Sequence, residues 1–134
     1  MLRIGTLLVA LVASLTLASA GLAKGGGASC AQIIDFAVTQ GSSADGQPTL
    51  TTSYTVDNEC VDHENMSVAA LDYSNSVDSF VGRAVTMLPY GSSTYTGNAS
   101  IAAPGVTYTE TLTVYAPNGK VAATRTVSVT IPAV

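Results

Sequence analysis

The chain has 134 residues, nine carboxylates against five lysines and arginines, a formal net charge of -4 and no tryptophan. So acidic a chain is unsuited to nucleic acid, whose phosphates are bound by clustered Lys and Arg. The length allows a single domain with a modest core and is too short for two.

Residues 1–20 read as a cleaved secretory signal: Arg3, an apolar run from Ile4 to Leu17, then the small residues Ala18-Ser19-Ala20. The run is too short and too rich in small residues for a membrane span, and no second run of that length follows, so no membrane association is expected after cleavage. An extracellular or periplasmic location is expected. Residues 21–29, "GLAKGGGAS", read as a flexible Gly-rich tail. The domain proper is expected over residues 30–134.

Export changes the meaning of Cys30 and Cys60, because an oxidising compartment favours a disulfide over two thiols. The competing reading is acylation of Cys30, since "GASC" loosely resembles a lipobox. The cysteine lies well beyond the end of the apolar run at Ala20, so the disulfide is the preferred reading.

From Cys30 onward the apolar residues alternate with period two, the pattern of half-buried strands. Ile34, Phe36 and Val38 form one such set and Leu50, Tyr54 and Val56 the next, with "GSSADGQP" as the turn between them. Further strands are expected around Ser67 to Tyr73, Phe80 to Leu88 and Thr94 to Ile101. Val106 to Ala116 and Val121 to Ile131 form the clearest pair, separated by "PNGK". No window of the domain has helical periodicity, while Thr, Val, Ser and Tyr are plentiful. The expectation is an all-β, antiparallel sandwich of about seven strands.

Apolar parity fixes two registers, since directly opposed side chains share a sheet face. Opposing Cys30 and Cys60 pairs Ile34 with Val56 and Phe36 with Tyr54, and centres the turn on Asp45. A two-residue Asn118-Gly119 turn would pair Pro117 with Lys120, Leu112 with Arg125 and Glu110 with Val127. Glu110 and Arg125, the charges that interrupt the apolar faces, then become diagonal neighbours on one face. A structural ion pair is the expected outcome for them, rather than a catalytic carboxylate beside a cation.

The stretch "DNECVDHENMS" gathers Asp57, Glu59, Asp62, His63 and Glu64. Calcium wants six or more oxygens, commonly from a loop bent by glycine, and no glycine lies between Gly46 and Gly82. Zinc would need partners that a lone histidine lacks. The reading is an acidic, solvated binding rim without a metal, and no cofactor is expected. Catalytic patterns are thin as well: any Ser-His-Asp arrangement must use His63, and no GxSxG elbow presents a nucleophile. No enzymatic activity is expected. Tyr90 and Tyr95, near Gly91 and Gly97, are either ordinary strand-edge tyrosines or contacts for a sugar or protein. Asn65 and Asn98 begin sequons that matter only in a host that glycosylates.

The segment "APGVTYTETLTVYAPNGK", Ala103 to Lys120, resembles the corner and sixth strand of fibronectin type III domains, through Pro104, Gly105, Tyr108, Leu112, Val114 and Asn118-Gly119. The resemblance implies an immunoglobulin-like sandwich and a tyrosine corner at Tyr108, its hydroxyl bonded to backbone a few residues upstream. Tyr54 is the residue nearest to the family's tryptophan, and Glu110 stands where an apolar residue is usual. In that topology the acidic loop shares an end with the Asn118-Gly119 turn, which adds Lys120 to the rim. The functional expectation is a secreted, monomeric, non-enzymatic module that binds or spaces an extracellular protein or glycan. A small secreted inhibitor or ligand carrier on the same fold is the alternative.

Overall fold

The computed structural model describes residues 30–62, 65–78 and 80–134, so the expected signal and tail, His63 and Glu64 lie outside the described residues. Eight strands follow in chain order: β1 (Ala31–Ser42), β2 (Pro48–Asn58), β3 (Ser67–Asn75), β4 (Gly82–Leu88), β5 (Gly91–Thr96), β6 (Ser100–Ile101), β7 (Thr107–Tyr115) and β8 (Val121–Thr130). They form two antiparallel sheets. One has the order β1-β2-β5, with β6 also on β2; the other runs β4-β3-β7-β8. Strands β5 and β6 are two pieces of the segment expected as one, both paired to β2, which accounts for eight strands rather than seven.

The core lies between the sheets. Val56, Leu112, Val114, Leu88 and Ile131 are sealed from solvent, with Phe36, Val38, Tyr54, Leu71, Val127 and Val129 around them. Truncating one of the larger of these to Ala should cost about 2–5 kcal/mol. Tyr54 occupies the centre of the first sheet and stacks on its cross-strand neighbour Tyr95, ring centroids 5.3 Å apart. Tyr95 is therefore packed against the core rather than offered to a partner.

The first register holds over most of its length: Phe36 faces Tyr54, and the pairing continues to Ser42 opposite Pro48. It fails at one place. A bulge between Ile33 and Asp35 makes Ile33, not Ile34, the partner of Val56. Ile33 is 7 % exposed and Ile34 54 %. One extra residue flips the alternation, so the buried set runs Ala31, Ile33, then Phe36, Val38. Beyond the bulge Cys30 and Cys60 are joined, Cα atoms 4.8 Å apart, and the Glu59 N–H donates to the Cys30 carbonyl at 2.7 Å. By the chain-entropy estimate the link contributes roughly 3–4 kcal/mol.

The β7–β8 register also holds, with Leu112 opposite Arg125 and Glu110 opposite Val127. Its turn, however, is not the two-residue one expected. Gly119 N–H donates to Ala116 C=O and Ala116 N–H to Lys120 C=O, both at 2.8 Å, with Gly119 at φ 87°. That is a three-residue Pro117-Asn118-Gly119 loop with glycine in the left-handed position. The pairing starts one residue off, at Tyr115 with Val121, and a shift at Val114/Tyr115 restores it.

Threonines account for the outer faces. Thr107–Thr130, Thr109–Ser128, Thr111–Thr126 and Thr113–Thr124 join hydroxyl to hydroxyl across β7 and β8 at 2.7–3.3 Å. Thr55–Thr94 does the same on the other sheet at 2.8 Å. Each β-branched side chain suits the pleated backbone, and each hydroxyl has a partner.

Candidate functional site

Two of the sandwich's strand edges meet on each side, and the two seams differ. Between β5–β6 and the β3–β4 edge the sheets do not close. The inward positions of β4 are Gly82, Ala84, Thr86 and Leu88, and only Leu88 is buried. Opposite them, β6 is two residues long and follows the break at Gly97–Ala99. At this seam, beside the short β6, Gly97–Asn98 and Val81, lies a cleft of about 470 Å³. That volume lies within the range of small-molecule sites.

Its walls are Leu50 of β2, Ile101 of β6, Val81 just before β4, and the tyrosines Tyr73 and Tyr108. Thr52 and Glu110 also line it. Glu110 alternates inward with Leu112 and Val114, between Tyr73 on β3 and Val127 on β8, and is only 6 % exposed. The Thr52 hydroxyl donates to Oε1 at 2.6 Å. Burial pushes the Glu110 carboxyl above its ordinary range, and the Thr52 hydrogen bond offsets part of that. Burial also raises the Tyr73 phenol, with the nearby Glu110 charge adding to the effect.

The expected Glu110–Arg125 ion pair does not form. Arg125 shares the inner face, but β8 is an edge strand, and the long side chain reaches sideways across the other seam. There Nη2 donates to the Ile33 carbonyl of β1 at 3.0 Å. Drawing the guanidinium inward past Leu112 and Val127 would strip its hydration, a cost that an ion pair in a core seldom recovers. Among the described residues no cation faces the Glu110 carboxyl.

Tyr108 makes the corner implied by the resemblance. Its hydroxyl accepts the Ala103 N–H at 2.7 Å. Pro104 and Gly105, the latter at φ 79°, turn the chain just before it, and Val106 N–H closes the turn on the Ala103 carbonyl at 3.3 Å. This bond fixes one wall of the cleft.

The acidic stretch is distributed differently. Asp57 lies on the outer face of the first sheet between Gln32 and Ser92. Glu59 is exposed beyond the strand end, and Asp62 accepts the Asn65 N–H at 3.1 Å. Lys120 is exposed in the β7–β8 turn. Pro117 lines the same depression as Val61, Asp62, Asn65, Met66 and Tyr90, about 210 Å³, so that turn and the acidic loop do share an end. Among the described residues no three His, Cys, Asp or Glu side chains are grouped to hold a metal.

The chemistry of "DNEC" that sequence reading missed belongs to Asn58. It is buried, and its Nδ2 donates to the Leu88 and Pro89 carbonyls at 3.3 and 3.1 Å. Its Oδ1 accepts the Cys60 N–H and the Ser67 hydroxyl, both at 3.1 Å. One carboxamide thus ties β2, β3 and the β4–β5 corner together. Its even position in a strand whose even residues point inward was the available signal. No known protein family, curated protein or solved structure matches the chain.

Proposed function

We propose that the chain is an exported, non-enzymatic immunoglobulin-like domain that binds a small ligand between its sheets. The observation that carries this reading is the cleft of about 470 Å³ with a buried carboxyl in its wall. Apolar walls with a few convergent polar groups are the usual make-up of a small-molecule site. The immunoglobulin-like part is supported by the strand orders β1-β2-β5 and β4-β3-β7-β8 and by the Tyr108 corner. A buried Tyr54 filling the centre of the first sheet agrees with it. Export is supported by the signal-like first residues and by the Cys30–Cys60 disulfide, a bond that oxidising compartments maintain.

The test is uptake of a neutral, environment-sensitive probe such as N-phenyl-1-naphthylamine by the exported chain. One equivalent should bind with a fluorescence rise, and Gly97→Leu should abolish it. Gly97 lines the cleft, and an added Cβ there meets nothing closer than the Thr52 carbonyl oxygen at 3.8 Å, so the backbone has room for a side chain at the cleft wall; an unchanged urea midpoint would show that the variant is folded. Failure of the wild-type chain to take up the probe would overturn the reading.

A second reading has its own support. At the disulfide end Val61, Met66 and Tyr90 are exposed beside Asp62. Apolar side chains next to an acidic group suit a protein partner, whose binding should weaken on Tyr90→Ala.

A further inference from the structure

Glu110 is a buried carboxyl that lines a cleft and has, among the described residues, one hydrogen-bond partner, Thr52, and no counter-ion. The two cations nearest in sequence logic are spent elsewhere: Arg125 on the Ile33 carbonyl, and Arg83 on Asp72, at 2.6 Å on the outer face. A carboxylate held out of water without a partner is costly, and the cost falls when a cation enters. The Thr52 hydroxyl donates to Oε1, so the site is arranged for an anion that accepts, and Oε2 remains to accept from a ligand. Tyr73 and Tyr108 supply aromatic rings, which attract cations. Leu50, Val81 and Ile101 supply apolar surface for the rest of the molecule.

We infer that the cleft binds a small organic ammonium ion, an aromatic or aliphatic amine whose charged head meets Glu110 and whose body lies against the apolar walls. This inference rests on the ligand-cleft reading above and adds the chemical class. The net charge of -4 favours approach of a cation.

The experiment titrates the exported chain at neutral pH with phenethylamine, phenethyl alcohol and hydrocinnamate, which share a body and differ in the head. The amine should bind at least about tenfold more tightly than the alcohol, as a charge-assisted hydrogen bond requires, and the carboxylate should not bind. Glu110→Gln should bring the amine down to the level of the alcohol. In the wild-type chain, acidification that protonates Glu110 should weaken the amine alone, which tests the point without any substitution. The groups facing Glu110 are the Thr52 hydroxyl and the Tyr73 phenol, which burial raises above its ordinary value, while the Tyr108 hydroxyl is held by the Ala103 N–H and Arg125 is turned to β1. Equal affinity for amine and alcohol, or an amine preference that survives both Glu110→Gln and acid, overturns the ammonium assignment and leaves the cleft reading standing. Absence of binding by all three, together with the naphthylamine, overturns both.

Discussion

The two seams of the sandwich hold charges of opposite sign on the same inner face, and they have opposite fates. At the β1–β8 seam the bulge at Ile33 and the reach of Arg125 meet, and the edge is shut. At the other seam, a shorter carboxylate on the interior strand β7 is almost wholly buried in the cleft wall and, among the described residues, has no cation to pair with. A long, flexible cation at a sheet edge can keep its head hydrated while its stem packs. A buried Glu cannot, and so the open seam retains an unbalanced charge that a ligand can answer.

The largest expected effect on this contrast comes from the disulfide. Replacing Cys30 and Cys60 together by Ala should cost roughly 3–4 kcal/mol in urea unfolding. Because Cys30 anchors the start of β1, amide exchange should speed up first at Ala31 to Phe36, opening the shut seam before the cleft. Next, Arg125→Met keeps the stem and removes the charged donor to the Ile33 carbonyl. A loss of about 1–3 kcal/mol is expected, and no loss would mean that the seam is shut by apolar contact alone.

Glu110→Gln sharpens the other side of the comparison through pH. The native carboxyl is raised, so the folded state holds its proton to higher pH than the unfolded state does. Its contribution to stability is therefore fully present below the ordinary carboxyl range and is lost as pH rises through the raised native value. The wild-type chain should lose stability relative to Glu110→Gln between acidic and neutral pH, read as the difference of two urea midpoints. A saturating amine should reduce that difference. The smallest effect is expected at Arg83→Ala, which breaks an exposed pair on the outer face and should leave both seams and the melting midpoint unchanged.

Much of this was legible without coordinates. Strand pairs were readable where apolar parity was clear, as in Tyr108 to Val114 against Ala123 to Val129, because direct opposition fixes parity. The disulfide was readable because two cysteines in an oxidising compartment have few alternative roles, and the Tyr108 corner only through the resemblance carried by Ala103 to Lys120. Ile34 was misplaced because a bulge leaves no mark in composition when two isoleucines adjoin and either satisfies the pattern. The β7–β8 turn was misread because Asn-Gly serves both a two-residue and a three-residue loop; here the extra residue near the turn cancels in the register beyond it. The acidic stretch drew attention by its composition, yet its buried polar centre is the uncharged Asn58. The cleft had no local sign at all, since Thr52, Tyr73 and Glu110 come from three strands.

The sequence by itself determined the all-β class, the core-facing parity of most strands, the Cys30–Cys60 link and the turn at Pro104-Gly105. All of these follow from the two-residue repeat of an extended chain and from residues whose backbone or covalent chemistry permits little else. Only the tertiary structure decided which inner-face charge reaches a backbone partner across its seam and which faces the cleft. That depends on whether a strand lies at an edge or inside its sheet, and on how far a side chain reaches across the gap between sheets, neither of which is encoded in any one segment.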